Sequence, residues 1–303
     1  MMIHLRMLMG CSILAIGLGA AEPDPVYTVR DDGIVSASVG GAQGTLRIDP
    51  GAPALPILAK PYALRAGLKS GMFGLHYKVG PSGVHGVTAV THLIVDGMEI
   101  RRRVGWFDTP YATGADGVIG PGGLPALVVR FELHAPRPGE RTLDLPLVDG
   151  GALIGNWGGL FGEIIVGGVP MKVRFDLHHR LSLASAGAAQ RIAAAQGGAL
   201  TGPVDQAEIA FGIARPVRRM TLTTPFVIGP MALNALHVRV SDYGNAATIR
   251  DADVTPDPEE IIVTGKAKRD PSRDRLSIGR DALEQCSSIT FDKPAKRIRL
   301  SCL

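Results

Sequence analysis

The chain has 303 residues, of which 46% are hydrophobic and 20% charged, with a formal net charge of +4. This composition excludes a disordered chain, and the length suits two modest domains or one bilobal unit. Aromatic residues make up only 5% of the chain and do not interleave the basic clusters at Arg101-Arg102-Arg103, Arg215, Arg218-Arg219 and Lys266 to Arg275. Nucleic-acid binding is therefore disfavoured, and the cations are expected on solvated strand edges and linkers.

At the N-terminus Arg6 precedes an apolar run from Met7 to Leu18, followed by the small residues Gly19-Ala20-Ala21. Residues 1–21 are expected to be a secretory signal peptide, with an uncleaved anchor as the alternative. The run is short for a membrane span. Removal of the signal would take Cys11 with it and leave Cys286 and Cys302. An even pair in an exported chain predicts a disulfide, against the alternative of two buried thiols.

The abundant glycines and prolines predict short strands joined by tight turns. Residues 22–35 read as a polar lead-in. Alternation from Ile34 to Asp49, broken at Gly40-Gly41, predicts a hairpin feeding a strand. Pro61 to Leu68 predicts a short helix. Residues 71–86 predict a glycine-rich mobile hairpin carrying Tyr77. Val87–Val95 and Glu99–Phe107 predict a strand pair around Asp96-Gly97. Val118-Ile119-Gly120 leads into a turn, and Val128–Leu133 with Arg141–Leu147 closes the first half.

The second half repeats these landmarks in order. Glu163–Val166 and Met171–Asp176 predict a hairpin, and Ala184–Gln196 predicts a helix stopped at Gly197-Gly198. Strands follow around Ala207–Ile213, Met220–Leu222 and Leu236–Val240. Ser277-Ile278-Gly279 answers Val118-Ile119-Gly120, and two closing strands end the chain. Thr45-Leu46-Arg47-Ile48-Asp49 and Lys172-Val173-Arg174-Phe175-Asp176 are the clearest copies, with their aspartates 127 residues apart. A period this long marks duplicated domains rather than a solenoid. Two carboxylates brought together at a shared interface resist joint ionisation and can work as an acid and a base.

With these residues the chain resembles the pepsin and retropepsin superfamily of aspartic peptidases. Asp49-Pro50-Gly51-Ala52 is similar to that family's Asp-Thr-Gly-Ala loop except at Pro50. Ala115 to Gly120 and Ser277 to Leu283 are similar to its later turns. The resemblance implies a mostly β fold of two duplicated β-barrel lobes with short helices, over residues 22–150 and 151–303. It further implies a catalytic dyad of Asp49 and Asp176, substrate contacts from Gly51, Ala52, His178 and His179, and Tyr77 as a flap residue. The second loop departs most, since Leu177 and His178 stand where the family has a hydroxyl residue and glycine. Ordinary turn aspartates are the alternative to a dyad, and a plain surface loop is the alternative to a flap.

Adjacent histidines on a strand would point to opposite faces, so His178 and His179 are not expected to chelate a metal together. One of them could instead pair with Asp176 and keep it ionised. No serine-hydrolase elbow, P-loop or dinucleotide-binding glycine pattern is present, and no cofactor is expected. An exposed insertion is expected over residues 244–275, most polar across 251–275. Within it, Glu259 to Lys266 resembles the TonB box of outer-membrane receptors, which implies strand addition to a periplasmic TonB-like partner. An ordinary strand is the alternative. These features predict an exported or periplasmic aspartic endopeptidase acting on peptides, or an inactive peptide-binding derivative.

Overall fold

The computed structural model describes residues 25–150, 157–242, 244, 246–254 and 270–303. The signal-peptide segment and residues 259–266 lie outside the described residues. The fold is mostly β.

The first half contains β1 (Val26–Val29), β2 (Ile34–Val39), β3 (Ala42–Ile48), β4 (Ile57–Ala59), α1 (Lys60–Arg65), β5 (Gly74–Val79), β6 (Ser82–Val95), β7 (Met98–Phe107), β8 (Gly117–Ile119), β9 (Val128–Glu132) and β10 (Arg141–Asp149). The lead-in is thus partly a strand, β1, which pairs in parallel with β9. The expected mobile hairpin is regular, with β5 and the long β6 paired from Gly74–Val87 to Val79–Ser82.

The second half contains β11 (Leu160–Val166), β12 (Val169–Phe175), β13 (Leu183–Ser185), α2 (Ala186–Gln196), β14 (Gly198–Ala210), β15 (Ile213–Ile228), β16 (Met231–Arg239), β17 (Arg250–Asp251), β18 (Arg275–Ile278), α3 (Arg280–Leu283), β19 (Cys286–Asp292) and β20 (Arg297–Cys302). Ser185 caps α2 by accepting the Ala188 N–H, and Gly197 ends the helix at φ +68°.

Strand order in the first half is β2-β3-β8-β4-β7-β6-β5, and β2 also pairs with β6, which closes a six-stranded barrel. Closure removes two sheet edges. The second half runs β11-β12-β18-β13-β16-β15-β14 within a larger sheet. The two orders correspond strand for strand, including the parallel pairs β3–β8 and β12–β18 and the parallel pairs β4–β7 and β13–β16. Between them β1, β9, β19, β20 and β10 form a connecting layer that runs into β11.

The main core spans both halves, from Leu46, Tyr62 and Trp106 to Phe175, Met220 and Ile192, with Phe131 and Phe291 in the connecting layer. Cys286 and Cys302 are cross-strand partners on β19 and β20 and form a disulfide.

Part of the expected exposed insertion is packed instead. Ala246 and Ile249 are buried, and β17 pairs in parallel with β14. Arg218 fixes that segment by donating to both carboxylate oxygens of Asp251. Asp274 is also buried and faces Arg191 at 3.2 Å. The basic clusters therefore serve more than solvated edges: Arg102 donates to the Gly123 carbonyl, and Arg215 and Arg239 share the buried Asp242. Among the described residues, no helix is long and apolar enough to cross a membrane.

Candidate active site

Each aspartate sits just beyond the end of an equivalent strand. The Asp49 N–H donates to the Ile119 carbonyl at 3.1 Å, and the Asp176 N–H donates to the Ile278 carbonyl at 2.8 Å. The next residue in each case is a glycine, Gly120 or Gly279. A side chain at either would collide with the backbone of the loop that follows the aspartate, at Ala52 or at Leu181. The two Ile-Gly turns thus allow each loop to cross the end of its neighbouring strand.

The two loops meet. A Cβ on Gly51 would lie 2.8 Å from the Phe175 carbonyl oxygen and 3.3 Å from the Arg174 Cδ. Asp49, Gly51, Asp176, His178 and His179 line one cleft of about 420 Å³, together with Arg47, Arg174, Tyr111 and Glu208. The expected constellation is therefore largely assembled. Ala52 is the exception: it is buried at 1% exposure and packs with Ile57, Phe107 and Phe211 behind the cleft.

Tyr77, on β5, lines an adjoining cavity. Its ring lies 5.2 Å from Phe211 and 5.9 Å from Tyr111, both edge-on. Phe211 sits in the turn between β14 and β15, so the β5–β6 and β14–β15 hairpins share an aromatic cluster. The tip of the first hairpin also reaches the second half, since Gly80 abuts Asp242 and Arg215.

The environments of the two aspartates differ sharply. Asp49 Oδ1 accepts the Gly51 N–H at 2.7 Å, its only side-chain hydrogen bond among the described residues. Asp176 Oδ1 accepts the N–H groups of His178 and His179, each at 3.0 Å. Asp176 Oδ2 accepts from Arg174 Nη2 at 2.7 Å and from His179 Nδ1 at 3.0 Å. Arg174 is itself braced by a 2.9 Å bond from its Nε to Ser277 Oγ.

Arg47 occupies the position equivalent to Arg174 but turns away from its own aspartate. Its Nη1 donates to the Thr113 carbonyl at 2.9 Å and approaches His178 Nε2 at 3.3 Å. A guanidinium has no acceptor, so His178 Nε2 must accept and the ring is neutral. Burial and the adjacent Arg47 and His179 charges lower the His178 pKa in the same sense. The bond to Asp176 raises that of His179. The histidines follow the end of β12 rather than continuing it, and both N–H groups turn toward Asp176. Strand alternation therefore does not apply to them. Among the described residues no cluster of three metal-ligating side chains occurs.

Burial pushes the Asp49 carboxyl up, the Asp176 charge pushes it further, and the Gly51 N–H, Arg174 and Arg47 only partly offset this, leaving its pKa at about 6. Burial also penalises the Asp176 charge, but Arg174 and His179 outweigh that penalty and hold it well below the usual carboxylate range. At mildly acidic pH the site holds one proton on Asp49 and a fixed negative charge on Asp176.

Pro50 and Leu177, which follow the two aspartates, line a second cavity of about 840 Å³ on which Asp49 and His178 also border. Sequence reasoning missed Arg47, Arg174, Tyr111 and Glu208. The Arg-x-Asp repeat was the available signal, because i and i+2 share a strand face. No protein-family description matches the chain, and no curated protein matches it in sequence.

Proposed function

We propose that the protein is an exported, peptide-binding derivative of the two-lobed pepsin and retropepsin superfamily, built from duplicated lobes, in which hydrolysis is suppressed. The occupancy of Asp176 carries this reading. A water-activating dyad needs a carboxylate oxygen free to take the water's proton. Asp176 accepts four hydrogen bonds, two on each oxygen, which uses the acceptor capacity of a carboxylate. The Arg174 ion pair also makes it a weak base. The cleft, the two converging hairpins and the aromatic cluster over it remain suited to an extended polypeptide. The Cys286–Cys302 disulfide supports an oxidising compartment.

A second reading is an aspartic endopeptidase of unusual asymmetry. The raised pKa of Asp49 favours it, because a carboxylate near 6 is an effective general base at neutral pH. Arg174, facing the same cleft, would then polarise the scissile carbonyl.

Incubating the mature protein with a peptide library from acidic to neutral pH tests both. Saturable binding without new termini supports the first reading. Cleavage that Asp49→Asn abolishes supports the second, and absence of binding and cleavage refutes both. A TonB-like partner for residues 259–266 belongs to the same proposal. Deleting residues 257–268 should abolish a TonB pull-down and leave peptide binding intact.

A further inference from the structure

Exposed apolar side chains gather on one face of the first half. Met72 and Phe73, in the loop between α1 and β5, are 92% and 42% exposed, and Val90 and Ile94 on β6 are exposed as well. Side chains alternate along a strand, so Val90, His92 and Ile94 share the outer face of β6. Opposite them on β7 stand Arg103, Arg101 and Glu99.

The loop is fastened to this face at its base. The Gly71 N–H donates to the Thr88 carbonyl at 2.7 Å, and Thr88 Oγ1 donates to the Phe73 carbonyl at 2.6 Å. Arg103 Nη1 donates to Thr88 Oγ1 at 2.8 Å. The same guanidinium lies 4.9 Å from the Phe73 ring centre and 5.8 Å from that of Trp157. Backbone groups on either side of Met72 are thus satisfied within the protein, while its side chain stands in water. The loop lies at the root of the β5–β6 hairpin, roughly 20 Å along the strands from the tip at Gly80 that meets the second half.

Cations surround these apolar tips. Lys69, two residues before Gly71, and Arg101 are both exposed, and neither has a carboxylate partner among the described residues. Glu99, the acid of the β7 row, stands 3.7 Å from His92. Separated apolar tips among unpaired cations do not make the continuous apolar centre of a protein interface. They match a bilayer surface instead. Methionine and phenylalanine tips can enter the acyl boundary, tryptophan sits at headgroup depth, and lysine and arginine meet anionic lipid phosphates.

We infer that this face docks reversibly on an anionic lipid bilayer. The inference is independent of the peptide-binding reading and stands or falls without it. Cosedimentation of the full mature chain with phosphatidylglycerol-containing vesicles, compared with phosphatidylcholine vesicles of the same size, tests it. Partition onto the anionic vesicles should be about tenfold stronger, and raised salt should weaken it. Lys69→Gln and Arg101→Gln should each reduce it about fivefold, the factor for one cation near the surface. Met72→Ser/Phe73→Ser should reduce it about tenfold. Met72→Ser alone keeps the test intact if loss of the Phe73 ring beside Arg103 disturbs folding. No sedimentation with anionic vesicles would overturn the inference, as would equal sedimentation with neutral ones or sedimentation that Met72→Ser leaves unchanged. Self-association lost in the same variants, without vesicle binding, would overturn it by assigning the face to a second copy of the chain.

Discussion

Arg174 and Asp176 leave the end of one strand on the same side, and the guanidinium clamps the carboxylate at 2.7 Å. The aspartate side chain is only 6% exposed and the arginine 23%. The equivalent pair in the first half, Arg47 and Asp49, makes no such bond. The same Arg-x-Asp motif therefore yields a fixed anion in one place and a titrating acid in the other.

Replacing Arg174 with glutamine leaves a buried carboxylate without its cation. Urea unfolding at neutral pH should show a loss of about 3 kcal/mol, the low end for a broken buried pair because His179 and two backbone N–H groups still serve Asp176. The deficit should shrink as pH falls and Asp176 becomes protonated in the variant. An unchanged midpoint and pH dependence would show that the clamp does not hold this loop.

Asp49 should titrate near 6 in a carboxyl carbon NMR experiment, above its ordinary value of 3.8. Between those values the folded state binds the proton that the unfolded chain has released. Stability should therefore fall as pH rises through this window, by at most about 3 kcal/mol, and Asp49→Asn should flatten that limb. Asp176→Asn removes the neighbouring charge and should lower the Asp49 midpoint. A wild-type midpoint near 4 would contradict this account.

Gly51→Ala should force the two aspartate loops apart, since the new methyl would stand 2.8 Å from the Phe175 carbonyl oxygen. A cost of about 1–3 kcal/mol is expected, together with a lower Asp49 pKa as the Asp176 charge recedes. Gly167→Asn provides the contrast, at φ +57° with nothing within 4 Å of its Cβ position. It should cost about 1 kcal/mol or less. Equal losses for the two variants would mean that loop contact is not the cause.

The Cys286–Cys302 disulfide closes a separation of 16 residues between buried cross-strand partners. Its removal in a Cys286→Ala/Cys302→Ala double variant should cost about 3 kcal/mol. The reductant sensitivity of wild-type unfolding should vanish in that variant. Identical urea midpoints for the wild type with and without reductant, under conditions where mass spectrometry shows the thiols free, would refute the assignment.

Much of the secondary structure was legible. Alternation marked β2, β3 and the β6–β7 pair, and the Asp96-Gly97 and Gly167-Gly168 turns placed two hairpins. Gly197-Gly198 marked the end of α2, whereas its start was placed at Ala184, which belongs to β13, rather than after the cap Ser185. The lead-in strand β1 was missed because its pairing partner, β9, lies about a hundred residues away. Long β14 and β15 were broken into fragments because proline, glycine and charged residues interrupt their alternation while the hairpin pairing continues across them. Ala52 was misplaced because a small residue beside a catalytic-type loop gives no sign of which way it faces.

The sequence by itself determined the strand ends, the turns and the two aspartates, because these depend on residues only a few positions apart. Tertiary structure alone decided what those aspartates are. Arg47 finds Thr113 and His178, whereas Arg174 finds Asp176, and both histidine N–H groups turn onto that same carboxylate. A motif specifies which donors and acceptors are present. Which of them come within hydrogen-bond reach is set by packing between distant segments; burial penalises the charge on both carboxylates, and Arg174 with His179 makes Asp176 the anion while Asp49 remains the acid.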